Sequence, residues 1–251
     1  MKNICLVTTT RAEFGLFYWL LKAIDSSEKF NLQLVVTGSH LSPQHGLTVN
    51  EIKEAGFDIA AEVNILLQSD CAKSKSQAVG LAALQFADVF ERLEPDLLIV
   101  MGDRFELFGI CSAAVVQGIP IAHFAGGEIT EGVIDDVVRH STTKMSHYHF
   151  VTNQVHADRV VQLGEEPSRV FNVGEPGLDH LFLSELMDVK ALSSNLQFDL
   201  NRPYFLFTFH PVSMQNGMSP IEQTEHLLEA LDQFPNFAVL MTYPNADQGG
   251  D

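Results

Sequence analysis

The sequence predicts an α/β protein whose strands run parallel beneath a cover of helices. Three observations carry this. Apolar runs of strand length alternate with helix-length segments along most of the chain. The strand runs are apolar on both faces, as strands in a covered parallel sheet must be. The 251 residues, 46% of them apolar, suffice for two such units of modest size and are too apolar for a disordered chain.

In order, "NICLVTT" is a strand and "FGLFYWLLKAIDSS" a helix with Phe17, Leu20, Leu21 and Ile24 on one face. "LQLVVTG" is a strand. "TVNEIKEAG" is a short helix closed by Gly56. "KSQAVGLAALQFADVFERL" is a long helix ended by Pro95. "DLLIVMGD" (strand), "LFGICSAAVVQG" (helix) and "IPIAHF" (strand) follow. "VIDDVVRHSTTKMS" reads as a helix, "HYHFVT" as a strand, "QVHADRVVQLG" as a helix and "RVFNVG" as a strand. "GEPGLDH" breaks this rhythm with a proline and two glycines, so residues 1–178 are assigned to one domain and 179–251 to the start of a second. That second unit offers two strands, "PYFLFTFHP" and "FAVLMTYP", around the helix "SPIEQTEHLLEALDQF". A sheet that small cannot cover both its faces, so the unit is expected to be incomplete, or covered by a partner subunit.

Composition narrows the function. A net charge of −17, from 32 acidic against 15 basic residues, repels phosphate backbones and argues against nucleic-acid binding. Cys5, Cys71 and Cys111 are far apart and make no even disulfide framework. No signal-peptide pattern and no membrane-spanning run is visible, so a cytoplasmic protein without membrane association is expected. The dinucleotide, P-loop and nucleophile-elbow motifs are absent. His147 and His149 sit at strand spacing with no further ligand motif, so no metal site is assigned.

Open parallel sheets bind ligands at the carboxyl ends of their strands. Five polar clusters fall there: Thr8 to Glu13 with Arg11, Thr37 to His40, Gly102-Asp103-Arg104, His123 with Gly126-Gly127-Glu128, and His210-Pro211. Gly126 and Gly127 let backbone approach a ligand, and Glu128 projects from the same turn. Asp135 and Asp136 start a helix, where they either serve chemistry or simply offset its dipole. Asp135 and Arg139 are also i, i+4 partners.

Seven segments in order, "TTTRAEFGL", "TGSHLSPQHGLTVNEI", "VMGDRFE", "HFAGGEITEGVIDDVVRHSTTKMSHYHFVT", "NVGEPGLD", "TFHPVS" and "TYPNADQGG", resemble the hydrolysing UDP-N-acetylglucosamine 2-epimerases of the sialic and legionaminic acid type. The resemblance implies a GT-B architecture, two Rossmann-like domains facing a cleft, with the second domain truncated in this chain. It implies a UDP-sugar substrate, no cofactor, no metal and a homo-oligomer, dimer or tetramer. The implied reaction eliminates UDP to a glycal and hydrates it with inverted C2 configuration. Matched position by position, Asp103 and Glu128 are the acid/base carboxylates, assisted by Asp135 or Asp136. His210 helps the leaving group, and Arg11 contacts the diphosphate. Arg104, His40, Gly126 and Gly127 line the substrate, and Arg139 orients the carboxylates. Relatives often carry a glutamate before the Gly-Gly pair; here that position is Ala125. The competing readings are a non-catalytic sugar-nucleotide-binding module and a GT-B glycosyltransferase.

Overall fold

The computed structural model describes residues 1–67, 69, 71–209 and 218–242. The chain forms two compact units, Met1–His180 and Leu181–Asp251. The first is a seven-stranded sheet in the order β3-β2-β1-β4-β5-β6-β7, parallel throughout. Its strands are β1 (Lys2–Thr8), β2 (Phe30–Thr37), β3 (Ile59–Val63), β4 (Leu97–Met101), β5 (Ile121–Phe124), β6 (Tyr148–Val151) and β7 (Val170–Asn172). The helices between them are α1 (Arg11–Asp25), α2 (Val49–Glu54), α3 (Ala72–Leu93), α4 (Glu106–Val116), α5 (Ile134–Met145) and α6 (Gln154–Gln162).

Alternation along each strand divides the core. Ile4 and Leu6 of β1, with Leu34 and Val36 of β2, pack under Phe14, Phe17 and Leu21 of α1 and Ile52 of α2. Cys5, Val7 and Val35 face the other way, onto Phe86 and Phe90 of α3 and Leu107 and Ile110 of α4. Burying each such Phe or Leu contributes about 1.5–3 kcal/mol, which outweighs the weak intrinsic preferences of these segments. Gly109 lets α4 lie directly on α3, because a Cβ there would sit 2.3 Å from the Val79 carbonyl oxygen.

In the first unit, β3 is the strand the sequence did not reveal. Its residues alternate between covered and exposed at the edge of the sheet, and Glu62 interrupts the apolar run. α1 also begins earlier than the apolar pattern implies, because Thr10 caps it at Arg11 by accepting from the Glu13 amide at 3.3 Å.

The second unit contains two short helices, α7 (His180–Leu183, which opens at the end of the first unit) and α8 (Val189–Leu196), then β8 (Tyr204–Phe207), α9 (Pro220–Leu231) and β9 (Ala238–Met241). β8 and β9 pair in parallel. α9 starts on a capping box: Ser219 Oγ accepts from the Glu222 amide at 3.2 Å, and the Ser219 amide donates back to Glu222 at 2.7 Å. Among the described residues no helix is long and apolar enough to cross a membrane.

Candidate active site

Strand order decides which loops meet. β1 lies beside β4, β4 beside β5, and β5 beside β6. The loops carrying Arg11, Asp103, Gly126 to Glu128, and Thr152 therefore stand next to one another along one carboxyl edge. α1 and α4 leave β1 and β4 toward opposite faces, so the connections diverge there, the position at which open α/β sheets receive ligands.

Asp103 follows Gly102, which holds a left-handed turn at φ 75°. Its Oδ2 accepts from Arg139 Nη2, while Arg139 Nη1 donates to Thr130 Oγ1 at 3.0 Å. Arg139 is 5% exposed, and burial pushes its pKa down. A guanidinium is stable there because the Asp103 carboxylate faces it. Asp136 is committed nearby: its Oδ1 accepts from the Thr130 amide at 3.0 Å and lies 3.6 Å from His140 Nε2. Asp135 is half-buried in the same first helical turn and is also engaged with a partner.

His123 joins these parts from below and was not among the residues singled out for chemistry. It is fully buried; its Nε2–H donates to the Gly102 carbonyl at 2.8 Å. Its Nδ1 must then accept from Thr143 Oγ1, 3.2 Å away and one turn beyond Arg139. Burial lowers its pKa to about 4, so the ring is neutral near pH 7, as this pattern requires. One imidazole thus links the Asp103 loop to the helix that carries Arg139.

The Gly-Gly turn is built for close approach. Gly127 has φ 81°, and a Cβ there would fall 2.4 Å from the His156 carbonyl oxygen and 2.9 Å from Val160 Cγ2. Arg159 Nη1 donates to the Gly127 carbonyl. Ala125 also takes a left-handed conformation, φ 59°. Glu128 is half-buried, and its Oε1 accepts from Thr152 Oγ1 at 3.3 Å. His156 Nδ1 lies 2.8 Å from the same hydroxyl and 3.8 Å from Glu128. Asp103 and Glu128 therefore share an edge but are held by different partners.

The remaining expected residues divide. Arg11 is exposed, and its Nε donates to Glu51 of α2 at 2.9 Å. His40 has no exposed surface: its ring meets Thr8 Oγ1 at 3.0 Å and Thr48 Oγ1 at 2.8 Å, and burial lowers its pKa to about 4. It braces the loop after β2 in this conformation. Arg104 stacks near the Phe105 ring and places Nε 3.6 Å from Glu106. His210 lies outside the described residues. Glu13, named with the first polar cluster but given no role, and Glu106, not singled out at all, are buried at this edge. The signal for Glu13, Thr10-x-x-Glu13, reads equally as an ordinary helix cap.

A family model described as UDP-N-acetylglucosamine 2-epimerase matches residues 22–251. The chain is 39% identical over 249 residues to the GDP/UDP-N,N'-diacetylbacillosamine 2-epimerase (hydrolyzing) of Campylobacter jejuni, covering 99% of this chain and 64% of that protein. It is 35% identical over 250 residues to the UDP-N,N'-diacetylbacillosamine 2-epimerase (hydrolyzing) of Legionella pneumophila, covering 100% of this chain and 66% of that one. The chain thus spans a little under two thirds of the length of these relatives. Among solved structures it resembles the UDP-GlcNAc 2-epimerase from Neisseria meningitidis bound to UDP-GlcNAc, with TM-score 0.83 and 18% identity, over 100% of this chain and 67% of that one. At that identity the likeness shows the fold, α/β of the GT-B-like class.

Proposed function

The chain belongs to the UDP-N-acetylglucosamine 2-epimerase family, and on that premise we propose that the protein is a hydrolysing 2-epimerase acting on a UDP-linked 2-acetamido sugar. UDP-N,N'-diacetylbacillosamine is the preferred substrate of this reading, since the relatives at 39% and 35% identity are named for it. UDP-N-acetylglucosamine is the alternative, and the product would enter sialic- or legionaminic-type sugar synthesis. A cytoplasmic homo-oligomer belongs to the same reading.

The observation that carries it is the pair of carboxylates on one sheet edge. Asp103 is held by buried Arg139, and Glu128 by the Thr152 hydroxyl beside a Gly-Gly turn. Two carboxyl groups in unlike surroundings suit complementary proton transfers. In the proposed reaction one carboxylate takes the C2 proton as the bond from C1 to the UDP oxygen breaks. This leaves a C1–C2 double bond and free UDP. Water then gives its hydroxyl to C1 while a proton returns to C2 from the opposite face. Atoms and charge balance without an oxidant or reductant. Arg104 at the same edge, and Arg11 once released from Glu51, would steady the diphosphate. Asp136 holds the Thr130 amide of the adjoining turn, and Asp135 or Asp136 would assist the acid/base pair. His210 would assist the leaving group.

The test is incubation of the intact protein with each UDP-sugar in deuterated water. Free 2-epimeric sugar, UDP, and deuterium at C2 are expected. Product without deuterium refutes C2 deprotonation. Transfer only to an added acceptor makes the protein a glycosyltransferase, and binding without turnover makes it a sugar-nucleotide-binding module.

A further inference from the structure

Glu128 stands at the end of a row of hydrogen bonds, and the scheme above uses only the member of that row that touches it. Thr152 follows β6 and donates from Oγ1 to Glu128 Oε1 at 3.3 Å. His156, in the first turn of α6, places Nδ1 2.8 Å from that hydroxyl. Asn153 caps α6 and places Nδ2 3.4 Å from the other ring nitrogen, Nε2. Among the described residues the charged partner of the ring is Glu128 itself, with Oε1 3.8 Å from Nδ1. A helix cap needs Asn153 alone. It does not need a histidine whose ring turns back to the residue before the cap.

Donor counting gives the row a direction. Asn153 Oδ1 accepts from the His156 amide at 3.0 Å, so Nδ2 is the end of the amide that faces the ring, and it can only donate. Nε2 therefore accepts, and the ring hydrogen sits on Nδ1. Nδ1 donates to Thr152 Oγ1, which leaves the one hydroxyl hydrogen for Glu128. Donors in series polarise one another, so the last of them grips the carboxyl group more firmly than a lone threonine would. Packing keeps the row in register. Gly127 lies so near α6 that a Cβ there would sit 2.4 Å from the His156 carbonyl oxygen, and Arg159 of α6 donates to the Gly127 carbonyl.

We propose that His156 is a positioning residue for the reaction: acting through the Thr152 hydroxyl, it anchors Glu128 by Oε1 and leaves Oε2 as the oxygen that serves the sugar. The inference rests on the epimerase reading of Glu128. Glu128 Oε2 takes no hydrogen bond from the described residues, whereas Oε1 is tied. A glutamate side chain has three rotatable bonds, and Glu128 is only half-buried. Without an anchor, its carboxyl group would sample many placements, few of them within reach of a proton on C2. Without the His156 ring, the Thr152 hydroxyl is no longer obliged to turn its hydrogen to Glu128.

The experiment measures steady-state kinetics of the intact protein on UDP-N,N'-diacetylbacillosamine or UDP-N-acetylglucosamine, whichever the unaltered protein turns over. His156→Leu and Thr152→Val should each lower kcat by ~10–10²-fold with KM changed by no more than about twofold, because misplacing an acid/base group by about 1 Å costs rate rather than binding. Thr152→Ser keeps the hydroxyl and should retain most of the rate. The decisive comparison repeats His156→Leu in the Glu128→Gln background. If the ring acts through Glu128, its removal there costs little further rate, since the group it positions is already lost. Near-ultraviolet circular dichroism checks folding, and Thr152→Val carries the same comparison should His156→Leu fail to fold. Near-normal kcat in both single variants overturns the inference and leaves the epimerase reading standing. So does a loss as large in the Glu128→Gln background as in the unaltered protein. Failure of the unaltered protein to turn over either UDP-sugar overturns both.

Discussion

Glu13→Gln yields a stability prediction that needs no substrate. Glu13 is buried, and its pKa is raised from 4.5 to about 7. In the unfolded chain it titrates near 4.5, so between these values the folded state binds a proton that the unfolded state lacks. Stability from this group is therefore full below about pH 4.5 and is lost as pH rises through 7. The lost amount approaches ~3–4 kcal/mol, from a difference of 2.5 at about 1.4 kcal/mol each. That figure is already net of the Thr9 hydrogen bonds and the Arg104 attraction, which oppose the rise. Glutamine reproduces the shape of the neutral acid at every pH. Against the unaltered protein, the variant should be equal or slightly weaker at about pH 5 and more stable by about 1–3 kcal/mol at about pH 8.5. Urea unfolding followed by fluorescence of Trp19, the sequence's one tryptophan and a residue of the same helix, reads this directly. A stability difference that stays flat across this range refutes the account of Glu13.

Other substitutions test the remaining parts of the edge. Asp103→Asn and Glu128→Gln, made separately, should each lower turnover of UDP-sugar by ~10²-fold or more, the first with a lowered unfolding midpoint because Arg139 loses its buried counter-ion and the second with a midpoint little changed; near-normal rates for both in the folded protein remove them from the mechanism. Gly127→Ala should cost about 2–4 kcal/mol in urea unfolding, since it adds left-handed strain to a 2.4 Å approach on the His156 carbonyl, and a loss under about 0.5 kcal/mol contradicts that packing. His123→Phe should destabilise by about 1–3 kcal/mol, because it leaves the Gly102 carbonyl and Thr143 hydroxyl buried without the ring. The same variant should lower kcat more than it raises KM; an unchanged kcat at full folding denies His123 any part in placing Asp103.

The central strands were legible because they are hydrophobic on both sides, and that follows from their position. β1, β2 and β4 are covered by helices on both faces, so their central residues are apolar on both sides, with Gln33 the buried exception in β2. β3 is the last strand of the sheet, one side of it is wet, and Ala60 and Glu62 take that side. A five-residue stretch with an exposed glutamate carries too little pattern to be told from a loop. The candidate site shows the same division. Asp103 and Glu128 could be placed together because chain direction alone brings the ends of parallel strands to one edge, whereas Arg139, inside α5, was given its role only through the family resemblance. Glu13, Glu106 and His123 were not legible in that way, because what sets them apart is burial, and burial depends on neighbours distant in sequence. Thr10-x-x-Glu13 looks like a cap until β4 is placed beside β1 and Glu13 proves buried at that edge. His123 reads as one more polar residue near a strand end until α5 folds back to set Thr143 against its ring. Periodicity reports which face of an element is covered, whereas charge chemistry depends on what covers it, and only strand order supplies that.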